Sequence, residues 1–86
     1  MSAGRFEIFV AIEKERDYQD AKWGGLEHDR QHGVADWLLM MEQRLAAAKH
    51  GGPQEGLDEL RKVAAMAVAC MEAHGLVPRA IRLDDE

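Results

Sequence analysis

From Gly4 to Trp23 the chain runs without an interior glycine or proline, and Phe6, Phe9, Val10, Glu13, Asp17 and Ala21 recur at helical spacing. The first half of this predicted helix is apolar on one side, with Phe6, Phe9 and Val10. The second half, Glu13 to Asp20, is almost wholly polar. A segment suited to core packing therefore leads into one with no core to face. Residues 24–33, GGLEHDRQHG, are bracketed by glycines and read as a loop. A second helix is expected from Trp37 to Lys49 or His50, with Asp36 as its N-cap and Gly51-Gly52 as its stop. Pro53 suits the first turn of a third helix that runs to His74 and ends at Gly75, with Pro78 beyond.

The short GGPQ connection predicts an antiparallel hairpin of helices two and three. Residues 1–75 form the expected single domain, and 76–86 a tail that is extended or disordered, with Ile81 and Leu83 available for packing. No stretch alternates with the period of a strand. The fold class is all-α: three helices, completed by oligomerisation into a helical bundle.

Oligomerisation is expected because WLLMM (37–41) and VAAMAVACM (63–71) are apolar around most of the helical circumference. At about 25 cal/mol per Å² of apolar surface, exposed Leu, Met and Val side chains forgo many kcal/mol. A second copy is the usual cover, and Ala64, Ala65, Ala67 and Ala69 would let backbones approach closely. The assembly is expected to be a dimer or higher.

Length and charge narrow the classes of partner. Eighty-six residues hold one domain near the lower size limit for an independent core. A net charge of −5, with acids spread along the chain, repels phosphate backbones, so long nucleic acid is not an expected partner. A small anion can still bind through a local cation. The single cysteine, Cys70, lies in an apolar run and has no internal partner for a disulfide. MSAGRFEIF lacks the apolar core of a signal peptide and no stretch is long enough to span a membrane. The expected setting is a reducing cytoplasm, bacterial or that of a host cell if the protein is phage-encoded.

The ordered set EKERDYQDAKWG, a histidine-containing loop, DWLLMMEQRLAAAK and LDELRKVAAMAVACMEAHG resembles the small MazG-like proteins of bacteria and phages. The resemblance covers residues 12–75. It rests most on Glu15, Arg16, Gln19, Lys22, Trp23 and Gly24, and on the ELRKVAAMAVA helix. It implies an all-α nucleotide pyrophosphohydrolase that cleaves nucleoside triphosphates to monophosphate and pyrophosphate. It also implies a Mg²⁺ site built from an E-x-x-E motif on one helix and an E-x-x-D motif on the next. Carboxylates three apart share a helix face, and Mg²⁺ prefers oxygen ligands together with substrate phosphate.

The chain departs from that pattern. The best register places Glu42-x-x-Leu45 on helix two and Glu59-x-x-Lys62 on helix three, so only the first carboxylate of each pair remains. Glu42 and Glu59 are the candidate catalytic and metal-binding residues. At equal depth from the turn, Lys62 is expected within ion-pair reach of Glu42, in the place of a cation. Three outcomes stay open. Glu13, Glu15, Asp17 or Glu72 can complete the site, the fold can bind nucleotide without hydrolysing it, or the likeness is architectural only.

The resemblance also implies ligand-binding roles for Arg16, Gln19, Lys22, Trp23 and Lys62, with the Trp23 indole stacked on a base and Lys22 or Arg16 meeting phosphate or a ring acceptor. The alternative places Trp23 over the core with Lys22 solvated. Trp37, opening an apolar helix, reads as core. His28-Asp29-x-x-His32 carries metal-capable side chains, but its glycine-bracketed setting suggests a mobile, ligand-touching segment. Gly51-Gly52 lacks the Lys-Ser/Thr sequel of a phosphate loop. With Ser2 as the only serine and no threonine, a serine nucleophile is not expected. Three functions follow: a Mg²⁺-dependent nucleotide pyrophosphohydrolase, an inactive relative that sequesters a signalling nucleotide as a phage sponge would, or a helical interaction module.

Overall fold

The computed structural model describes residues 3–80. Four helices follow in order: α1 (Arg5–Trp23), α2 (Gly25–Arg30), α3 (Val34–Ala48) and α4 (Pro53–His74). No strand occurs among the described residues. The chain is all-α with one helix more than the pattern predicts, because six residues of the glycine-bracketed segment are helical. Gly24 explains the division. Its φ of +105° is left-handed, its N–H donates to the Asp20 carbonyl at 2.9 Å, and α2 starts immediately after it. The glycines mark the ends of a short helix rather than a loop.

Helix α3 begins three residues before the predicted start. Gly33 is its N-cap, and Asp36 sits inside the first turn, where Oδ2 accepts the Gly33 N–H at 3.2 Å. A carboxylate reaching back from the third helical position satisfies a terminal donor as well as a capping side chain would. Pro53 opens α4, and the Gly75 N–H closes it on the Met71 carbonyl at 2.8 Å. Residues 75–80 carry no regular structure; Ile81 and Leu83 lie outside the described residues. No helix among the described residues is long and apolar enough to cross a membrane.

Helix α4 is the axis of the molecule. It packs against α1, α2 and α3, while the backbones of α1 and α3 do not approach each other. The core is small: Trp37 from α3 meets Met66, Ala69 and Cys70 from α4, with Met40 and Met41 beside them. Helix α1 joins α4 in a way the pattern does not anticipate. Its apolar half is outside, with Phe6 79%, Ile8 47% and Phe9 61% exposed, and its polar half supplies the buried residues Arg16 and Gln19. Phe6 and Phe9 stand largely open among the described residues, whereas Arg16 and Gln19 find hydrogen-bond partners on α4.

Two glycines give opposite expectations. Gly24→Ala forces a Cβ into left-handed backbone at φ +105° and should destabilise by about 1–2 kcal/mol. Gly56→Ala, within α4 with nothing near the added methyl, should stabilise by about 0.4–1 kcal/mol. Urea titrations of the two variants check both signs.

Candidate functional site: a cleft between α1 and α3

Because the backbones of α1 and α3 flank α4 without approaching each other, a cleft opens between them with α4 as its floor. The polar half of α1 supplies one wall through Arg16, Gln19 and Trp23, one helical turn apart. Trp37, Met40, Arg44 and Ala47 of α3 supply the other, α2 closes one end with His28 and Asp29, and Met66 lies beneath. The cavity holds about 490 Å³. A second hollow of about 340 Å³ adjoins it, sharing Gln19, Trp23 and Arg44 and adding Glu15, Tyr18, Lys22, Arg61 and Lys62. Five cations, Arg16, Lys22, Arg44, Arg61 and Lys62, therefore border one depression on a chain whose net charge is −5.

Arg16 anchors the closed end. Its guanidinium lies 2.8 Å from Asp20 on its own helix, 3.5 Å from Asp29 on α2 and 3.3 Å from Glu72 on α4. Asp20 and Glu72 are 42% and 51% exposed, so solvent screens those pairs and each is worth little. Asp29 is different: its side chain is 7% exposed, and its buried Oδ2 accepts no hydrogen bond. The Arg16 charge is what makes that carboxylate tolerable there. Burial alone would lower the Arg16 pKa, but the hydrogen bond to Glu72 and the charge of Asp20 raise it above the ordinary arginine value. Asp29 also braces the neighbouring wall, since the Trp37 Nε1–H donates to its backbone carbonyl at 3.3 Å. The His32 ring meets Trp37 edge-on, with centroids 6.2 Å apart.

Farther along, Gln19 Nε2 donates to Glu15 and to the Lys62 carbonyl, both at 3.3 Å. Arg61 pairs with Glu15 at 3.2 Å and with Asp58 at 2.8 Å, and Lys62 pairs with Asp58 at 3.2 Å. Hydrogen bonds from Lys62 and Arg61 hold the Asp58 carboxyl below its ordinary value, and the Asp58 bond raises Arg61 in turn. Arg44 reaches across from α3 to Glu59 at 2.7 Å. Lys22 alone of the five cleft cations has no carboxylate within ion-pair distance among the described residues; its Nζ stands 5.1 Å from the Trp23 ring centroid and 5.9 Å from that of Tyr18.

The sequence-predicted ligand residues Arg16, Gln19, Lys22, Trp23 and Lys62 all border this depression. Trp23 is 43% exposed on its rim, whereas Trp37 is 5% exposed and belongs to the core. The predicted acidic pair fares otherwise. Lys62 engages Asp58, one turn away on its own helix, instead of Glu42, because an i, i+4 partner needs no reach between helices. Glu42 is exposed on α3 and borders neither hollow of the cleft. Glu59 borders a separate hollow with Glu55 and Asp58, its carboxylate occupied by Arg44. No group of three or more His, Cys, Asp or Glu side chains is placed to hold a metal ion among the described residues, so His28, Asp29 and His32 do not form one. The residues present thus fit Mg²⁺ poorly, and a guanidinium beside Glu59 opposes a second cation. Burial pushes the Cys70 thiol up, which leaves it a poor nucleophile.

Sequence reasoning passed over Arg44, Trp37 as a cleft wall, and Asp29 as a buried acid. The available signal for Arg44 was its position fifteen residues before Glu59, across a short turn. Nothing local marks Asp29 as buried. No protein-family model, curated protein or solved structure matches this chain.

Two contrasts test this account. Trp37→Ala should cost about 3–5 kcal/mol, a large share of what a domain this size possesses, and Trp23→Ala much less. Arg16→Ala should cost about 3–5 kcal/mol by stranding the Asp29 charge, and Arg16→Ala with Asp29→Asn should recover part of that loss. Thermal and denaturant melts of the four proteins measure both.

Proposed function

We propose that the protein is a nucleotide-directed member of the MazG-like class, and that it captures its ligand in the cleft between α1 and α3 rather than hydrolysing it efficiently. The observation that carries this reading is the Lys22–Trp23 rim: a half-exposed indole beside a cation that no carboxylate engages, opening onto a cation-bordered depression. A flat base gains about 1–3 kcal/mol by stacking on such a ring. The attached phosphates are drawn to Lys22 and, by exchange of carboxylate partners, to Lys62, Arg61 or Arg44. The indole and these cations line the same hollow, so one nucleotide can reach both. Asp58, Glu15 and Glu59 hold the cations in place before the ligand arrives. In the same reading, α3 and α4 form an antiparallel hairpin and the chain assembles with copies of itself.

Capture is favoured over turnover by the acids. Glu42 and Glu59 do not share the cleft, and Leu45 and Lys62 stand where a four-carboxylate cage needs ligands. Mg²⁺ is expected to enter, if at all, on the nucleotide's own phosphates.

The test is a thermal-shift and tryptophan-fluorescence panel of nucleoside mono-, di- and triphosphates and cyclic dinucleotides, with and without Mg²⁺. At a hundredfold excess over Kd, a bound nucleotide should stabilise the fold by about 2.7 kcal/mol. Trp23→Ala and Lys22→Ala should each weaken that ligand roughly tenfold or more, while the unliganded melts change little. Pyrophosphate release should stay at background. Rapid release from the unmodified protein would replace capture by the pyrophosphohydrolase, and a panel with no response would reject the nucleotide reading.

A further inference from the structure

Two side chains of the cleft are buried yet keep acceptor atoms that no group of the described chain uses. Asp29 is 5% exposed and Gln19 6%, and both line the 490 Å³ cavity. Asp29 Oδ2 accepts no hydrogen bond. Arg16 Nη2 stands 3.5 Å from it but donates to Asp20 at 2.8 Å, so the guanidinium balances the Asp29 charge without bonding that oxygen. The other oxygen, Oδ1, meets Nδ1 of the His28 ring at 3.3 Å. Buried acceptors are as a rule supplied with a donor. The Gln19 amide adds a second acceptor. Its nitrogen faces the Glu15 carboxylate and the Lys62 carbonyl, both at 3.3 Å, and two acceptors there fix which end of the amide is the NH₂. Oε1 is left without a donor among the described residues.

Charge is divided along the cleft in the same sense. At the closed end one guanidinium faces three carboxylates, Asp20, Asp29 and Glu72. The adjoining hollow is bordered instead by Lys22, Arg44, Arg61 and Lys62. A ligand with N–H groups at one end and phosphate at the other is therefore oriented on entry, its donors toward Asp29 and its phosphate toward the cations. Trp23 borders both hollows, so a base stacked on its indole shares the cavity of Asp29 while its phosphates reach the other.

We propose that the cleft selects guanine nucleotides, with Asp29 reading the base. The proposal rests on the nucleotide reading above and names the base that reading leaves open. Guanine carries a ring N–H and an amino group side by side, two donors that match the two oxygens of one carboxylate. Adenine and cytosine set a single amino group beside a ring acceptor, which would face the carboxylate with like polarity. Uracil and hypoxanthine offer the carboxylate one N–H with no amino group next to it. The guanine edge reaches Asp29 by displacing the His28 ring, which lines the cavity and whose side chain is 34% exposed. One long contact is then replaced by two charge-assisted bonds, and Gln19 Oε1 is a further acceptor in the same cavity.

The test is calorimetric titration of the full chain with the 5′-diphosphates of guanosine, inosine, adenosine and xanthosine. Inosine lacks only the amino group, and leaving a buried acceptor unpaired should weaken it roughly tenfold to a hundredfold relative to guanosine. Adenosine should bind more weakly still. Asp29→Asn should reverse the order of guanosine and xanthosine, because the amide brings its own N–H to the carbonyl that xanthine carries in place of the amino group. A variant that was merely less stable would weaken all four alike. The comparison of guanosine with inosine on the unmodified protein decides the matter even if Asp29→Asn fails to fold. Equal affinity for the four, or inosine or adenosine ahead of guanosine, would overturn guanine selection and leave nucleotide capture standing. A folded Asp29→Asn that still prefers guanosine to xanthosine would overturn Asp29 as the reading group. No binding of any of the four would overturn this proposal together with the nucleotide reading.

Discussion

The Arg16 guanidinium, buried among carboxylates from three helices, is the interaction on which the arrangement turns. A cation at that point accepts Asp29 as a buried acid and ties α2 to α1, while Gln19, one turn on, joins the same half of α1 to α4 by donating to the Lys62 carbonyl. Without the Arg16 charge the buried Asp29 would keep only the His28 ring, 3.3 Å from its Oδ1, against its desolvation cost. The Asp29 backbone in turn receives the Trp37 indole N–H, so the same knot orients the largest side chain of the core. A single charged residue thus couples electrostatic satisfaction to hydrophobic packing.

Holding α1 by its polar half has a geometric result. The helix lies along α4 without meeting α3, and the gap becomes the cleft. Its lining is polar on the α1 side because Arg16, Gln19 and their neighbours do the docking, and apolar on the α3 side because Trp37 and Met40 extend the core. A depression with one charged wall and one apolar wall suits an amphipathic ligand, and the ion pairs of Arg44, Arg61 and Lys62 set its cations in place beforehand. The same docking leaves Phe6 and Phe9 largely exposed among the described residues.

Helix α4 resolves these demands by dividing its circumference. One side packs the small core, the adjoining polar strip carries Asp58, Arg61, Lys62 and Glu72 toward α1, and the remaining side is the uncharged stripe from Leu57 to Met71. None of the stripe residues (Leu57, Leu60, Ala64, Ala67, Val68 and Met71) borders either hollow of the cleft. Alanine occupies both sides: Ala65 and Ala69 are buried and admit close neighbours inside the chain, and Ala64 and Ala67 lie on the stripe.

The sequence by itself determined the all-α class, the extent of α4 between Pro53 and Gly75, and the core role of Trp37, because helix punctuation and apolar periodicity are local properties. The resemblance to MazG-like proteins also pointed to Arg16, Gln19, Lys22, Trp23 and Lys62, and all five border the cleft. Only the tertiary structure decided that residues 25–30 are helical, since Asp29 is buried there against Arg16 of α1 and Trp37 of α3. It alone reversed the roles of the two halves of α1. Periodicity records which face is apolar, but not whether the chain provides anything to cover it. Likewise, Lys62 was in reach of two acids by its position, and the nearer one on its own helix, Asp58, holds it. Which acid a flexible ammonium selects depends on distances in space, and these exist only once the helices are packed.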